Sequence, residues 1–312
     1  MSLTPEQLEE RRSGIGGSDA AVVLGINPFR DPLSLYLDKR GELPEEDDKD
    51  KPAFFWGSLL EGAICEAYSL QTGYKVIKQN QMLRSAEHPF MIANLDRRVV
   101  GTGIKRGFEA KSDAWGIGWG ASGSDEIPAY IMCQVQHYLK VTGWDQFDLG
   151  VLIGNRDFRL YTIVPIEEII NQLVEAEQEF WDRVQAGVQP EPTWDAKSTT
   201  RLIKTLYPGT NGKVVRFPQV AQAYQDVLND AKEQRIKYEK VEEGCKNRIA
   251  MMMGEASAAI LPDDSCYTRK ITARKGFTTE DTTFMATRRA TKQPKIVAEA
   301  LENNLVEDIT GE

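Results

Sequence analysis

Glu109 and Lys111 stand two residues apart in Gly107-Phe108-Glu109-Ala110-Lys111-Ser112. The short apolar alternation reads as a strand, which puts Glu109 and Lys111 on one face and Phe108 and Ala110 on the other. Upstream, the apolar run Ile92-Ala93-Asn94-Leu95 ends at Asp96, and Gly101-Thr102-Gly103 supplies the glycines for a turn that would set Asp96 beside Glu109. Two carboxylates so placed can hold a divalent cation. Hard cations take oxygen ligands and keep several waters, and a neighbouring lysine can orient or deprotonate one of them. The chemistry that suits this set is metal-assisted hydrolysis of a phosphodiester. A lone Glu-x-Lys strand is more often a solvated ion pair of little energetic weight, so the surrounding elements must carry the rest of the case.

Two helices bear on the acidic face. From Trp56 the residues Trp56, Leu59, Leu60, Ala63, Ile64, Ala67 and Tyr68 repeat at three and four, an amphipathic helix with Glu61 at the edge of its apolar stripe. An acid in that position either reaches out to water or serves a site. The second helix begins near Pro128 and buries Ile131, Val135, Tyr138 and Leu139. Gln134 falls on the same face, where a buried amide must be either a core hydrogen-bond bridge or a group that holds water or a scissile phosphate. His137 lies off the stripe and reads as a surface or boundary histidine. Between strand and helix, the Gly/Ser-rich stretch 116–124 is a loop that could stand beside the acidic face and move over a substrate.

The N-terminal segment offers an anion site. Thr4-Pro5-Glu6-Gln7 opens a helix that ends near Arg11-Arg12-Ser13-Gly14. Gly16-Gly17-Ser18 then leads into Asp19–Leu24, a short helix that Ser18 would cap and Gly25 would close. Free backbone N–H groups at such an end favour a phosphate, with Arg11 or Arg12 supplying charge; a plain capped helix is the alternative. Asp31-Pro32 starts another helix that runs to Gly41, and the acidic run from Glu45 to Asp50 reads as a solvated loop.

Further on, residues 147–153 and 158–164 form a hairpin, and a long amphipathic helix follows Pro165 with Ile166, Ile169, Ile170, Leu173, Phe180, Trp181 and Val184 inward, closed by Gly187. This order of helices, strands, helix, hairpin and helix predicts an α/β fold with a mixed central sheet flanked by helices. Pro190-Glu191-Pro192 marks the expected boundary between a domain at 1–190 and an extension at 191–312. In the extension, Val220, Tyr224, Val227, Ala231, Gln234, Tyr238, Val241, Cys245, Arg248 and Met252 follow alternating steps of four and three with Gln234 and Arg248 as polar interruptions, a near-heptad long helix whose partner is another part of this chain, another subunit or a protein partner. A basic, short-stranded end follows from Cys266 through Arg269-Lys270 and Arg274-Lys275 to Arg288-Arg289, which suits either phosphate contact or a solvated edge.

Composition narrows the class. In 312 residues with a net charge of −9, residues 195–295 carry +7 and the remainder −16. An acidic chain does not coat nucleic acid by bulk attraction, so any DNA contact in the acidic part is local. No stretch reaches the length of a membrane span and no apolar signal core opens the chain, so the expected location is the cytoplasm. Cys65, Cys133, Cys245 and Cys266 are scattered without CxxC spacing, which predicts buried free thiols rather than zinc ligands or disulfides.

Taken in order, Arg11/Arg12 with Gly14-Ile15-Gly16-Gly17-Ser18-Asp19, Trp56-Gly57 followed by Glu61, Asp96, Glu109-Ala110-Lys111 and Gln134-Val135-Gln136 resemble the bacteriophage lambda exonuclease and YqaJ-type viral recombinase family of the PD-(D/E)xK nuclease superfamily. The resemblance covers roughly residues 8 to 187 and implies a restriction-endonuclease-like sheet. It further implies a Mg²⁺-dependent deoxyribonuclease, with Mn²⁺ able to substitute, that digests linear double-stranded DNA 5′→3′ from its ends and leaves 3′ single-stranded tails for phage-type recombination. On that likeness Asp96, Glu109 and the Ala110 carbonyl are metal ligands and Glu61 is a further acid for the metal or its water. Lys111 positions or activates the attacking water, Gln134 lies beside the scissile phosphate, and Arg11 or Arg12 with Ser18 holds the 5′-phosphate. The implied partners are DNA ends, a single-strand annealing protein and further copies of the chain in a trimeric ring, within a bacterial host cell that carries the gene on a phage or prophage. Where the family often has Pro-Asp-Gly at the first acid, this chain has Leu95-Asp96-Arg97. A structure- or sequence-specific endonuclease on the same scaffold, and a non-catalytic recombination scaffold, are the alternative readings.

Overall fold

The turn at Gly101-Thr102-Gly103 forms, and it sets the register of the centre of the fold. In the computed structural model, which describes residues 5–44, 52–79, 81–269 and 295–308, the chain divides into two compact units, 1–207 and 208–312. The first opens with α1 (Pro5–Arg12), β1 (Ile15–Gly16), α2 (Gly17–Val23), α3 (Pro32–Lys39) and α4 (Pro52–Thr72). Strands β2 (Lys75–Lys78), β3 (Leu83–Arg84), β4 (Met91–Ala93), β5 (Arg97–Val100) and β6 (Arg106–Asp113) follow, then α5 (Ala129–Thr142), β7 (Gln146–Ile153), β8 (Asp157–Ile163), α6 (Glu167–Ala186) and α7 (Lys197–Leu206).

The main sheet runs β2-β5-β6-β7-β8. All its neighbours are antiparallel except β6 and β7, which are parallel because α5 carries the chain across between them. A smaller sheet, β1-β4-β3, holds the end of the segment that leads into Asp96. The central sheet is therefore mixed and flanked by helices, as its sequence pattern predicts.

Its two faces carry different cores. Towards α4 point Val99 and Phe108, packed on Ile64, Cys65 and Tyr68. Towards α5 point Phe147, Leu149 and Val151, packed on Val135, Tyr138 and Leu139. Gly107 is required where it stands, since a Cβ there would lie 2.1 Å from the Phe147 ring. Only the C-terminal half of α4 follows the expected apolar stripe: Ile64 and Tyr68 are buried, whereas Trp56, Leu59 and Ala63 are exposed. Between them Leu60 is partly buried against the same core.

Residues 191–207, assigned from sequence to the extension, belong to the first unit. Leu202 of α7 enters its core, and Asp31 accepts hydrogen bonds from Thr193 N (2.9 Å) and Thr199 Oγ1 (2.6 Å) while also capping α3 through Leu33 N (2.9 Å). One carboxylate thus ties chain segments far apart in sequence. The loop expected to move over a substrate is pinned instead: Gly123 N donates to Leu160 O (2.8 Å), and Arg159 donates to the carbonyls of Trp119 and Gly120.

The second unit contains β9 (Val214–Arg216), α8 (Val220–Met253), β10 (Ala258–Ile260), β11 (Cys266–Thr268), α9 (Lys295–Glu302) and β12 (Val306–Asp308). β12 pairs in parallel with β9, and β10 with β11 antiparallel. The predicted long helix is α8, 34 residues with none buried. Arg269, expected among phosphate-facing basic residues, here donates to Ala250 O (3.0 Å) and Gly254 O, and so satisfies carbonyls at the end of α8. The remaining basic residues of that stretch, Lys270 to Arg289, lie outside the described residues, as does the acidic run 45–50. Cys65 and Cys133 are buried free thiols as expected, but Cys245 and Cys266 are exposed; the elements that carry the latter two bury almost nothing.

Candidate active site

The pairing of β5 with β6 aligns Arg97 with Phe108, so Asp96, one residue before Arg97, comes level with Glu109. Asp96 Oδ2 accepts a hydrogen bond from Ala110 N (3.2 Å). Phe108 faces α4 and Glu109 and Lys111 face α5, as alternation along a strand requires.

On that face the side chains form one network. Lys111 Nζ donates to Glu109 Oε1 (2.8 Å) and to Gln134 Oε1 (3.0 Å). The Gln134 amide donates from Nε2 to the same Glu109 oxygen (2.8 Å) and to Tyr138 Oη (2.9 Å), and Tyr138 in turn donates to Asn94 O (3.2 Å). Gln134 thus links Glu109, Lys111 and Tyr138, and its neighbour Gln136 bridges Val164 O and Ile166 N.

The electrostatics follow from burial. Glu109 is only 3% exposed, and burial, followed by the proximity of Asp96, pushes its carboxyl up to about 7 against the lowering influence of Lys111 and Gln134. Burial lowers the Lys111 ammonium, but Glu109 and Asp96 outweigh it and its pKa is raised. Lys111 is thus a cationic donor at neutral pH. Glu109 Oε2 is buried with no hydrogen-bond partner among the described residues.

That orphaned oxygen is the observation that bears on a metal. A buried carboxylate oxygen without a donor costs free energy, and a second carboxylate beside it adds repulsion. A hard divalent cation relieves both, so the residues present fit one held by Asp96 and Glu109. Glu61 stands differently: its carboxylate is 2.7 Å from Arg97 Nη2. Among the described residues no group of three His, Cys, Asp or Glu side chains converges as a metal site. Arg97, the residue at which the Asp96 segment departs from Pro-Asp-Gly, thus pairs with the acid expected to join the cluster.

Tyr138 also meets the N-terminal segment that carries the anion-site candidates. Gly17 opens α2 against that ring, where a Cβ would come within 2.4 Å of Tyr138 Cε1. The cap differs from expectation. Gly16 is the capping residue, its N–H donating to Asp19 Oδ2 (3.0 Å), and Ser18 is an exposed residue of the first turn. Asp19, to which the sequence pattern assigns no role, is buried and paired with Lys39 (2.7 Å) and Arg30 (3.4 Å). Burial raises its pKa, but the two cations and the Gly16 hydrogen bond hold it well below the usual carboxylate range. Arg30 and Arg12 both reach Asp38, at 2.5 and 3.5 Å, while Arg11 is exposed and its carbonyl accepts from Lys39 (2.8 Å). The only hint of this cluster in the sequence is an acid in the first turn of a glycine-led helix.

His137 also departs from expectation. It is fully buried, with Nδ1 2.8 Å from Glu177 Oε1 and Nε2 2.9 Å from Ile92 O. Two acceptors facing both ring nitrogens suit an imidazolium. Burial lowers the ring's affinity for a proton, yet Glu177 and the Ile92 carbonyl outweigh it and the pKa is raised.

Comparison with known proteins gives the class. Residues 6–145 match the YqaJ-like viral recombinase domain. In particular, the chain is 37% identical over 215 residues to the protein YqaJ of Bacillus subtilis (strain 168), a match spanning 67% of this chain and 66% of that relative's length. Among solved structures, it is similar to the alkaline exonuclease LHK-Exo of Laribacter hongkongensis at 14% identity and TM-score 0.45, covering 65% of this chain and all of that one. A phage-related exonuclease of Haemophilus somnus 129PT aligns at 15% identity and TM-score 0.40, over 56% and 96% of the two chains. No helix among the described residues is long and apolar enough to cross a membrane.

Proposed function

We propose that the protein is a metal-dependent deoxyribonuclease that degrades linear double-stranded DNA 5′→3′ from its ends, leaving 3′ single strands for recombination. The observation that carries this reading is the buried Asp96–Glu109–Lys111–Gln134 network with its unpartnered Glu109 oxygen. The match to the YqaJ-like domain is consistent with it.

In this reading Asp96 and Glu109, with the Ala110 carbonyl, hold Mg²⁺, for which Mn²⁺ can substitute. When bound, the cation supplies Lewis-acid stabilisation of the phosphoryl oxygens and a more acidic water. The chain's own groups do the positioning. Lys111, already cationic, donates to water or to a phosphate oxygen and offsets charge that develops in the transition state, which fits its raised pKa better than a role as general base. Gln134 Oε1 holds the Lys111 ammonium, and its amide orients the Glu109 carboxylate. For Glu61 to join the cation, the Arg97 pair must open. Arg11 or Arg12 and Ser18 bind the 5′-phosphate, and Arg12 would exchange its Asp38 contact for the ligand.

Replacing Lys111 by alanine tests the site. Cleavage by the Lys111→Ala protein is expected to fall by about 10²–10³-fold, the usual effect of removing one preorganised donor. Binding of the same duplex in Ca²⁺, measured by fluorescence anisotropy, is expected to stay within a few fold. A variant that cleaves at close to the wild-type rate removes Lys111 from the mechanism.

A further inference from the structure

The residue that follows Asp96 brings a cation of the chain's own to the edge of the site. Arg97 opens β5, and alternation along the strand puts its side chain with Val99 on the face that packs against α4. There it meets Glu61. Arg97 Nη2 lies 2.7 Å from Glu61 Oε1, and Nη1 donates to the Asp96 carbonyl at 2.9 Å. Both contacts use the planar fork of one guanidinium, which fixes its orientation as well as its place. The Arg97 side chain is 13% exposed and that of Glu61 29%, so the pair is largely withdrawn from water. Cys65, one turn further along α4 than Glu61, senses the same groups. Burial pushes its thiol up, Arg97 pulls it down, and Glu61 and Asp96 each add to the rise. Glu61, Arg97 and Asp96 therefore form one charged cluster beside α4.

The two glutamates nearest Asp96 are in opposite states. Glu109 has one oxygen held by Lys111 and Gln134 and the other buried without a hydrogen-bond partner among the described residues. Glu61 already has its counter-charge. A divalent cation shared by Asp96 and Glu109 can take Glu109 Oε2 and leave the Lys111 contact to Oε1 intact. Recruiting Glu61 as well means parting it from Arg97, which gives up a charge-assisted hydrogen bond and leaves a mostly buried guanidinium without its carboxylate. The positions that the three acids could offer to cations are therefore unequal.

We infer, resting on the metal site of the proposed nuclease, that Arg97 is a resident counter-ion that keeps Glu61 out of the coordination shell, so that the DNA-free protein takes one divalent cation, at Asp96 and Glu109, rather than two. Calorimetric titration of the full-length, DNA-free protein with Mn²⁺ tests this and is expected to give one Mn²⁺ per chain. Glu61→Gln, whose amide oxygen can still accept from Arg97, is expected to leave that count unchanged and the affinity within a few fold. Arg97→Ala is expected to add a second Mn²⁺, bound about tenfold to a hundredfold more tightly than any second cation on the wild type, the equivalent of one charge-assisted hydrogen bond. Arg97→Ala combined with Glu61→Gln is expected to return the count to one. Circular dichroism checks that each variant is folded, and the wild-type count with Glu61→Gln decides the matter even where Arg97→Ala does not fold. Two Mn²⁺ of similar affinity on the wild type, a Glu61→Gln protein that loses its Mn²⁺, or a folded Arg97→Ala protein that still takes only one overturns the inference and leaves the nuclease reading standing. No Mn²⁺ binding at all, or binding indifferent to Asp96→Asn and Glu109→Gln, overturns both.

Discussion

Glu109 carries a cost that pH exposes. Its carboxyl is raised from the ordinary range to about 7, chiefly by burial and then by Asp96. A raised acid holds its proton in the folded state and releases it in the unfolded chain, so the folded state binds more protons between about 4.5 and 7. Its contribution to stability is fully present below the unfolded value and is lost as pH rises through about 7, amounting to about 3 kcal/mol at roughly 1.4 kcal/mol per pH unit. In EDTA, the melting temperature of wild-type protein is expected to fall between pH 5 and 8 relative to Glu109→Gln, whose amide does not titrate. Parallel curves for the two proteins would contradict the role of burial. Strand alternation and the Gly101–Gly103 turn are enough, from sequence alone, to bring Asp96 to Glu109. The Arg97–Glu61 pair is not legible in the same way, because nothing in local pattern says which cation a border acid meets.

At the scale of elements, α5 is the organiser. It gives Gln134 to the site, Tyr138 to the packing under α2, Gln136 to the start of α6 and His137 to β4. The burial of His137 escapes the sequence because the apolar stripe marks only one buried face, and α5 is covered by the sheet on one side and by α2 and α6 on others. The same blind spot hides Glu177 and Asp19, whose partners lie 40 and 20 residues away. A buried pair broken on one side leaves an uncompensated charge. His137→Ala is expected to cost about 3–5 kcal/mol in denaturant unfolding, and the double change His137→Leu with Glu177→Leu is expected to cost clearly less. Equal losses would show that the pair acts only through volume. Because His137 is raised, its contribution is present below its ordinary pKa and is lost as pH rises through the folded value.

At the scale of the whole molecule, the two units differ in what holds them. The first has a continuous core on both faces of a mixed sheet, and the site sits where β5, β6 and α5 meet. The second is built from a long helix, none of whose residues is buried among the described residues, and short strand pairs. The heptad pattern and α8 are both readable, since long periodic helices are the strongest signal a sequence carries. The end of the first unit is not: Pro190-Glu191-Pro192 looks like a linker, yet the chain beyond it returns to Asp31. The acidic balance of the chain outside 195–295 does not favour general coating of duplex. The most direct measurement is a time course with Mg²⁺ on 5′-phosphorylated linear duplex beside a covalently closed circle, with EDTA as control. Only the linear DNA is expected to be lost, with nucleotides leaving from its 5′ ends and EDTA stopping the loss. Cutting of the circle, or digestion that continues in EDTA, would contradict metal-dependent degradation from DNA ends.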